Sequence, residues 1–232
     1  MLKSSSIQTM LRKLVLLSVA LLLATASFAA RPLPDRYSPY QYGHRWYFSL
    51  QGGTAIPVAD YISSYSANGQ TLGMLSWHGA LSFGYNFSDA WDMRISGSYN
   101  YNAGALSPYQ GFYPYRFHAA HLFVDAVLNY NALAEFNVPF SPKTYTGIGA
   151  AYTFGFTDLN HPYQVLDYPN LTPAVRLGAI LEFDSPGGFG WFVDLGAEAF
   201  TDWYNGHESD KFPLEFLLKL SLGVVYHFPL HR

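Results

Sequence analysis

Three residues near the C-terminus have the types that nucleophilic catalysis requires. His207 and Ser209 are separated by one residue, and the carboxylate of Glu215 follows six residues later. A histidine can act as base toward a serine hydroxyl while a carboxylate orients the imidazole, which makes the set a candidate hydrolytic triad. The pair lies in a segment with Gly206 and Asp210 that is typical of a solvated loop without a rigid framework. We therefore predict no catalysis here and keep an esterase as an alternative.

A second group of ionisable residues recurs at alternate positions of apolar segments. Alternate positions of a strand share one face, so these residues would all point away from the apolar face. The group contains three cations and six carboxylates: Asp92, Arg94, Asp125, Arg176, Glu182, Asp194, Glu198, Glu215 and Lys219. Inside a narrow barrel they would have to pair and hydrogen-bond, because isolated buried charges are costly. We predict a packed interior polar network with a structural role; a gated or narrow solute path is the alternative.

The composition argues against other kinds of site. The chain has no Cys, which excludes thiol chemistry, disulfides and Cys-based metal sites. His118 and His121 have an odd offset, which on a strand places them on opposite faces, so we predict neither a metal nor a cofactor. Without residues 1–29, ten Lys and Arg stand against 16 Asp and Glu, and no basic surface for nucleic acid is expected.

The elements that must position these residues are indicated by strict alternation. Eight consecutive even positions near the C-terminus are apolar: Leu214, Phe216, Leu218, Leu220, Leu222, Val224, Tyr226 and Phe228. This period predicts one long strand, and a strand of about 10 tilted residues is long enough to cross a bilayer core. Charged residues make up only 12% of the chain and aromatic residues 18%, which favours a membrane barrel over a soluble protein.

Eight such segments follow one another along the chain. Their approximate ranges are 45–55, 75–87, 91–103, 115–131, 143–155, 172–184, 190–204 and 211–228. The connections alternate between short turns and mostly longer segments rich in Gly, Asn, Tyr, Ser and Pro. Short periplasmic turns and long extracellular loops are typical of outer-membrane barrels, so we expect both termini in the periplasm. Aromatic residues cluster near both strand ends, as expected of two interfacial girdles that include Phe117 and Phe200 at the loop side.

The N-terminal 29 residues have the layout of a secretory signal peptide. Lys3, Arg12 and Lys13 precede an apolar run over 14–24, and the small-residue segment 27–29 follows. The run is shorter than the 18 or so residues that a spanning helix needs. We predict a signal peptide over 1–29, a periplasmic N-terminal tether over 30–44 and the barrel over 45–232.

The C-terminal strand also resembles a known family. Ser221, Gly223, Tyr226 and Phe228 match the C-terminal insertion signal of outer-membrane barrels, although Pro229 and three further residues follow the last aromatic. The mature chain resembles the small eight-stranded outer-membrane β-barrel superfamily, the OmpA-like transmembrane barrels. This resemblance implies insertion by the barrel assembly machinery. The His207 and Ser209 pair is similar to that of lipid-deacylating outer-membrane barrels, except that Asn does not follow the serine.

These observations predict an all-β protein, an eight-stranded antiparallel up-and-down transmembrane β-barrel. We expect a monomer integral to the outer membrane of a Gram-negative bacterium, in contact with outer-membrane lipid and lipopolysaccharide. Its expected role is structural or surface-interacting through the extracellular loops, with no catalysis. The alternatives are transport or binding of a small hydrophobic or amphipathic solute, and a lipid A deacylase type of esterase.

Overall fold

The computed structural model describes residues 45–58, 76–106, 113–134, 140–158, 170–184, 188–201, 204 and 214–228. The predicted signal peptide and tether lie outside these residues, and so do His207 and Ser209. The strands are β1 Arg45–Val58, β2 Ser76–Asn86, β3 Trp91–Leu106, β4 Tyr113–Asn129, β5 Ser141–Asp158, β6 Asn170–Asp184, β7 Phe189–Thr201 and β8 Leu214–His227. The described chain also contains one short helix, α1, Tyr130–Ala134.

The eight strands form one closed barrel in sequence order, and every neighbouring pair is antiparallel. Closure is made by β1 and β8, which pair from Tyr47↔His227 to Val58↔Phe216. The predicted fold class is therefore confirmed. The strands differ from the predicted segments mainly at their ends; β3 continues to Leu106 and β8 begins only at Leu214.

The two ends of the barrel have different connections. At the end that carries the start of β1 and the end of β8, here called the terminal end, β2 and β3 are joined by a tight turn. The Ser88 hydroxyl accepts a hydrogen bond from the Trp91 amide at 3.1 Å there, and α1 follows β4 at the same end. The other connections lie at the opposite end, here called the loop end, and they are 59–75, 107–112, 159–169 and 202–213. No helix among the described residues is long and apolar enough to span a membrane.

The exterior of the barrel is apolar along the length of the strands. Ile148 and Leu222 are 72% and 64% exposed, and the even positions of β8 all face outward as predicted. Aromatic rings mark both ends of this surface. The rings of Trp46 and Phe83 stack with their centroids 4.9 Å apart near the terminal end. The ring centroids of Trp77 and Tyr99 lie 5.8 Å apart near the loop end.

A bulge in β5 changes which side chains enter the barrel at the loop end. The register shifts between Arg116 and His118 of β4, and Gly155 of β5 takes a φ of 63°. The extra residue reverses the alternation, so Phe156 turns inward and stacks on Phe117 at 5.2 Å. The predicted segment 143–155 therefore ends too early, because the strand continues past the bulge to Asp158.

The interior at the loop end is filled by aromatic side chains. Phe117 and Phe200 are almost completely buried in the barrel, and Phe200 stacks on Tyr204 at 3.8 Å. Their assignment to an interfacial girdle is wrong, because each shares the inward phase of its strand. We call the cluster of Tyr115, Phe117, Phe156, Phe200 and Tyr204 the aromatic plug.

We predict that a cation on the exterior destabilises the barrel according to its depth. Leu220 lies near the middle of β8 and Leu214 at its loop end. In a lipid bilayer, Leu220→Arg should cost about 2–4 kcal/mol of unfolding free energy, and Leu214→Arg about 0–1 kcal/mol. Reversible urea unfolding from phospholipid vesicles would measure both. Equal costs at the two positions would contradict a lipid-facing exterior.

Candidate functional site: the polar interior of the barrel

All nine residues of the predicted interior network are buried inside the barrel, with exposures between 1% and 8%. The structure adds four inward groups that the sequence interpretation missed, namely Lys143, His78, His121 and His227. Lys143 lies two residues before the inward Tyr145, at the first position of the predicted segment, where local alternation does not yet show the phase. His121 and His227 share the phase of the inward charges on β4 and β8, whereas β2, the strand of His78, carries no charged residue that would mark its inward phase.

The centre of the interior is a row of alternating charges on neighbouring strands. Arg94, Asp125, Gly147, Arg176 and Glu198 are consecutive register partners from β3 to β7. The Arg94 Nε donates to Asp125 Oδ2 at 2.8 Å, and the Arg176 Nε donates to Asp125 Oδ1 at 2.6 Å. Each arginine also lies against an aromatic ring, so both cations are held by a carboxylate and a ring face.

Gly147 is what allows Arg176 to reach Asp125. The arginine is on β6 and the aspartate on β4, so its side chain must pass over β5. A Cβ at Gly147 would overlap the Asp125 carboxylate and lie 2.8 Å from the Val124 carbonyl oxygen. The absence of a side chain at this position therefore makes room for the central ion pairs.

Two tyrosines cross the interior in the same way. The Tyr47 ring lies over Gly84 and its hydroxyl donates to Asp92 Oδ1 at 2.6 Å. The Tyr145 ring lies over Gly178 and its hydroxyl donates to Asp194 Oδ1 at 3.0 Å. Each phenol thus stabilises a buried carboxylate two strands away by donating a hydrogen bond to it.

The terminal end of the interior holds a separate ion cluster. The Lys143 Nζ donates to Glu182 Oε2 at 2.7 Å, and the His227 Nε2 lies 2.9 Å from Glu182 Oε1. A cavity of about 10 Å³ lies beside this cluster and is lined by Tyr47, Asp92 and Lys143 among others. That volume is about what one water molecule requires.

A third cluster lies below the aromatic plug. The Lys219 Nζ donates to Glu198 Oε1 at 2.8 Å, and the His121 Nδ1 is 2.9 Å from Glu198 Oε2. The Tyr204 hydroxyl accepts a hydrogen bond from Asn102 Nδ2 at 2.7 Å. Burial raises the pKa of the Tyr204 phenol well above its ordinary value, and the charges of Glu198 and Glu215 raise it further. The plug thus presents a neutral hydroxyl to the charged groups beneath it.

The inward face also contains a serine and histidine in hydrogen-bond contact. The His78 Nε2 lies 2.8 Å from the Ser221 Oγ, across Gly53 of β1. Both side chains are buried in the barrel wall, and no carboxylate contacts the His78 Nδ1 among the described residues. The pair lacks both an orienting carboxylate and access for a substrate, so it satisfies polar groups in the interior.

The candidate hydrolytic triad, at which we predict no catalysis, is described only in part. Glu215 is buried at the loop end of β8, inside the barrel. Because His207 and Ser209 lie outside the described residues, their relation to Glu215 stays a prediction. The C-terminal signal is divided between the two faces: Ser221 and Gly223 face inward, whereas Tyr226 and Phe228 lie outside with ring centroids 5.2 Å apart.

No group of three His, Cys, Asp or Glu residues within the described ranges could hold a metal ion. His118 and His121 lie on opposite faces of β4: His121 is buried inside, and His118 contacts the exterior rings of Tyr99 and Phe154. The inward groups are arranged as paired charges and hydrogen bonds. Chemically, this arrangement fills and closes the barrel.

We predict that the space over β5 is essential to the central ion pairs. Gly147→Ala should displace the Asp125 carboxylate and cost about 1–3 kcal/mol, the usual range for overpacking a filled interior. Gly97→Ala is the matched control, because a Cβ at that strand glycine meets nothing within 4 Å. Urea unfolding of both variants in vesicles would compare them. A Gly147→Ala variant as stable as Gly97→Ala would contradict the crossing geometry.

Comparison with known proteins places the fold. No protein-family model and no curated protein matches the chain. Among solved structures, it is similar to neisserial surface protein A at 12% identity and a TM-score of 0.53, over 79% of this chain and 97% of that one. It is also similar to Ail, the attachment invasion locus protein of Yersinia pestis, at 16% identity and a TM-score of 0.45, over 80% and 99% of the two chains. A further similar structure is the outer membrane enzyme PagL, at 15% identity and a TM-score of 0.46, over 75% and 97%.

These identities are too low to carry an activity from one chain to another, and they bear on the fold alone. The chain forms eight strands in a closed antiparallel order, and the similarity covers 97% of the neisserial protein. This chain has the fold of the small eight-stranded outer-membrane β-barrels.

Proposed function

We propose that the chain is an integral outer-membrane protein whose barrel neither conducts nor catalyses and holds its long connections at the cell surface for interaction with a partner. The observation that carries this proposal is the filled interior. Ion pairs and hydrogen bonds occupy three successive levels, around Glu182, around Asp125 and around Glu198, with the aromatic plug above them.

The energetics of these levels support a permanently closed barrel. Asp125 accepts hydrogen bonds from two arginines, and Glu198 lies within ion-pair distance of Lys219, His121 and Arg176. Removing one partner of a buried pair leaves an uncompensated charge and typically costs about 3–5 kcal/mol. Opening a path would separate several such pairs at once. The interior is therefore suited to a rigid support for the loop end.

The topology supports the role of the connections. The segments 59–75, 107–112, 159–169 and 202–213 all join strands at the loop end, whereas the terminal end carries the tight turns 87–90 and 185–188 together with the connection 130–140. In outer-membrane barrels the short turns face the periplasm and the longer loops face outward. We accordingly place both termini in the periplasm and the working surface outside the cell.

The first alternative, transport or binding of a small amphipathic solute, has less support. Such a ligand needs a pocket of about 300 Å³ or more, and the cavity at the terminal end has room for one water. The Lys143, Glu182 and Asp92 side chains around it would also be costly to desolvate against an apolar solute.

We predict a closed barrel with outward loops. Purified protein in planar bilayers should give no large steady conductance, because the charged levels are packed. Stable wide-pore openings would contradict the closed interior.

The proposed orientation makes a second prediction. An epitope inserted in 107–112 should be accessible to antibody on intact cells, whereas one inserted in the short turn 87–90 should react only after permeabilisation. The opposite labelling pattern would contradict the orientation.

We also predict that the chain does not deacylate lipids. Phospholipid and lipid A should remain intact when incubated with the wild type, because no rigid strand framework is expected to hold His207 and Ser209. Ser209→Ala and His207→Ala are the matched variants. Turnover by the wild type that both variants abolish would replace the proposed role with an esterase.

A further inference from the structure

Tyr204 belongs to the connection between β7 and β8, yet its side chain lies inside the barrel with 3% of its surface exposed. The Tyr204 amide donates to the Thr201 carbonyl oxygen at 3.2 Å, so the chain turns as soon as β7 ends. The ring lies back over Phe200, the last inward residue of β7, with the two ring planes 11° apart. Residues of a surface connection normally face solvent, so the buried position of this side chain calls for a physical reason.

The Tyr204 hydroxyl reaches the opposite wall of the barrel. In the closed ring of eight strands, β3 lies four strands from β7, and β4 is next to β3. The Asn102 Nδ2 of β3 donates to the hydroxyl at 2.7 Å, and the His121 Nε2 of β4 lies 3.0 Å from it. A phenol can accept one hydrogen bond and donate another, so both contacts can form together. We call Tyr204, Asn102 and His121 the Tyr204 bridge.

The barrel wall holds both partners of the hydroxyl in place. Asn102 and His121 are buried on their strands. The His121 Nδ1 lies 2.9 Å from Glu198 Oε2, and the Lys219 Nζ donates to Glu198 Oε1 at 2.8 Å. Because the partners are already fixed, little side-chain freedom is lost when Tyr204 contacts them. The bridge therefore joins the connection to the ion cluster around Glu198.

Packing alone does not account for the hydroxyl. Phe117, Phe156 and Phe200 fill the aromatic plug with rings that carry no polar atom, and Phe117 meets the Tyr204 ring edge to face at 5.5 Å. A phenylalanine at 204 would fill the same space except for one oxygen. Burial of that oxygen is unfavourable unless it is hydrogen-bonded, and here it lies where two partners meet. The hydroxyl thus adds a directional attachment to the packing of the ring.

We propose that the Tyr204 bridge fastens the start of the β7–β8 connection to the opposite wall of the barrel. The attachment is a property of the folded barrel and holds whatever the protein interacts with. Its consequence for recognition rests on the proposed function, because a connection that is held in advance loses less conformational freedom when a partner binds. The β7–β8 connection is then the preordered part of the interaction surface.

The test is hydrogen exchange at the Tyr204 amide, followed by NMR on the full mature chain folded in detergent micelles. This amide donates to Thr201, so its exchange rate follows the population in which the turn has opened. Tyr204→Phe keeps the ring and removes the hydroxyl. Exchange at 204 should become about tenfold faster than in wild type, the effect of losing roughly one buried hydrogen bond.

A change on the opposite wall tests the bridge from its other side. Asn102→Ala should accelerate exchange at 204 by a similar factor, although the two residues are 102 positions apart. Asn100→Ala is the matched control, since Asn100 is also buried on β3 but its amide nitrogen donates to Ser98 at 3.3 Å. The double variant Tyr204→Phe/Asn102→Ala should exchange no faster than Tyr204→Phe, because both changes remove the same contact.

Three results would each overturn the bridge: an unprotected Tyr204 amide in wild type, equal exchange in wild type and Tyr204→Phe, or equal effects of Asn102→Ala and Asn100→Ala. The Leu220 amide in β8 is read in the same spectra and should keep its wild-type rate, which separates local release from unfolding of the barrel. If Tyr204→Phe does not fold, Asn102→Ala and its control decide. Since these measurements need only a folded barrel, a reversed loop orientation on cells would contradict the proposed function and leave the bridge intact.

Discussion

Closure of the sheet by β1 and β8 is the constraint on which the rest of the structure depends. Pairing from Tyr47↔His227 to Val58↔Phe216 removes both free edges, so every strand has hydrogen-bonded neighbours on each side. In a bilayer, a spanning backbone must be satisfied in this way, because lipid offers no partners. Once the sheet is closed, successive side chains of every strand face the interior and the exterior in turn. A register shift of one residue would move every side chain to the wrong face.

The small diameter of the closed barrel then determines what the inward residues must do. Eight strands leave room for side chains and little else, so Arg94, Asp125 and Arg176 have to contact one another. Long side chains that cross a strand need a residue without a Cβ beneath them, which Gly147 supplies. Buried ion pairs contribute little net stability compared with apolar packing. We regard their role here as setting the register and keeping the interior closed.

The two ends of the interior differ in a way that suits the proposed orientation. The loop end is closed by the aromatic plug, with Phe200 stacked on Tyr204, whereas the terminal end keeps the Lys143–Glu182 pair beside a cavity of about one water. Aromatic rings thus fill the interior at the loop end, and buried charged groups fill it at the terminal end.

The sequence by itself determined the strand number, the two faces and nine of the inward charged residues, because alternation with a period of two is a local property of each segment. The predicted inward residues, from Asp92 to Lys219, all lie inside. Only the tertiary structure decided which charges pair, since Asp125 and Arg176 are 51 residues apart and meet through the register of a third strand. The alternation of residue types along the sequence also could not predict the bulge at Gly155. It depends on pairing with β4, and it is what turns Phe156 inward.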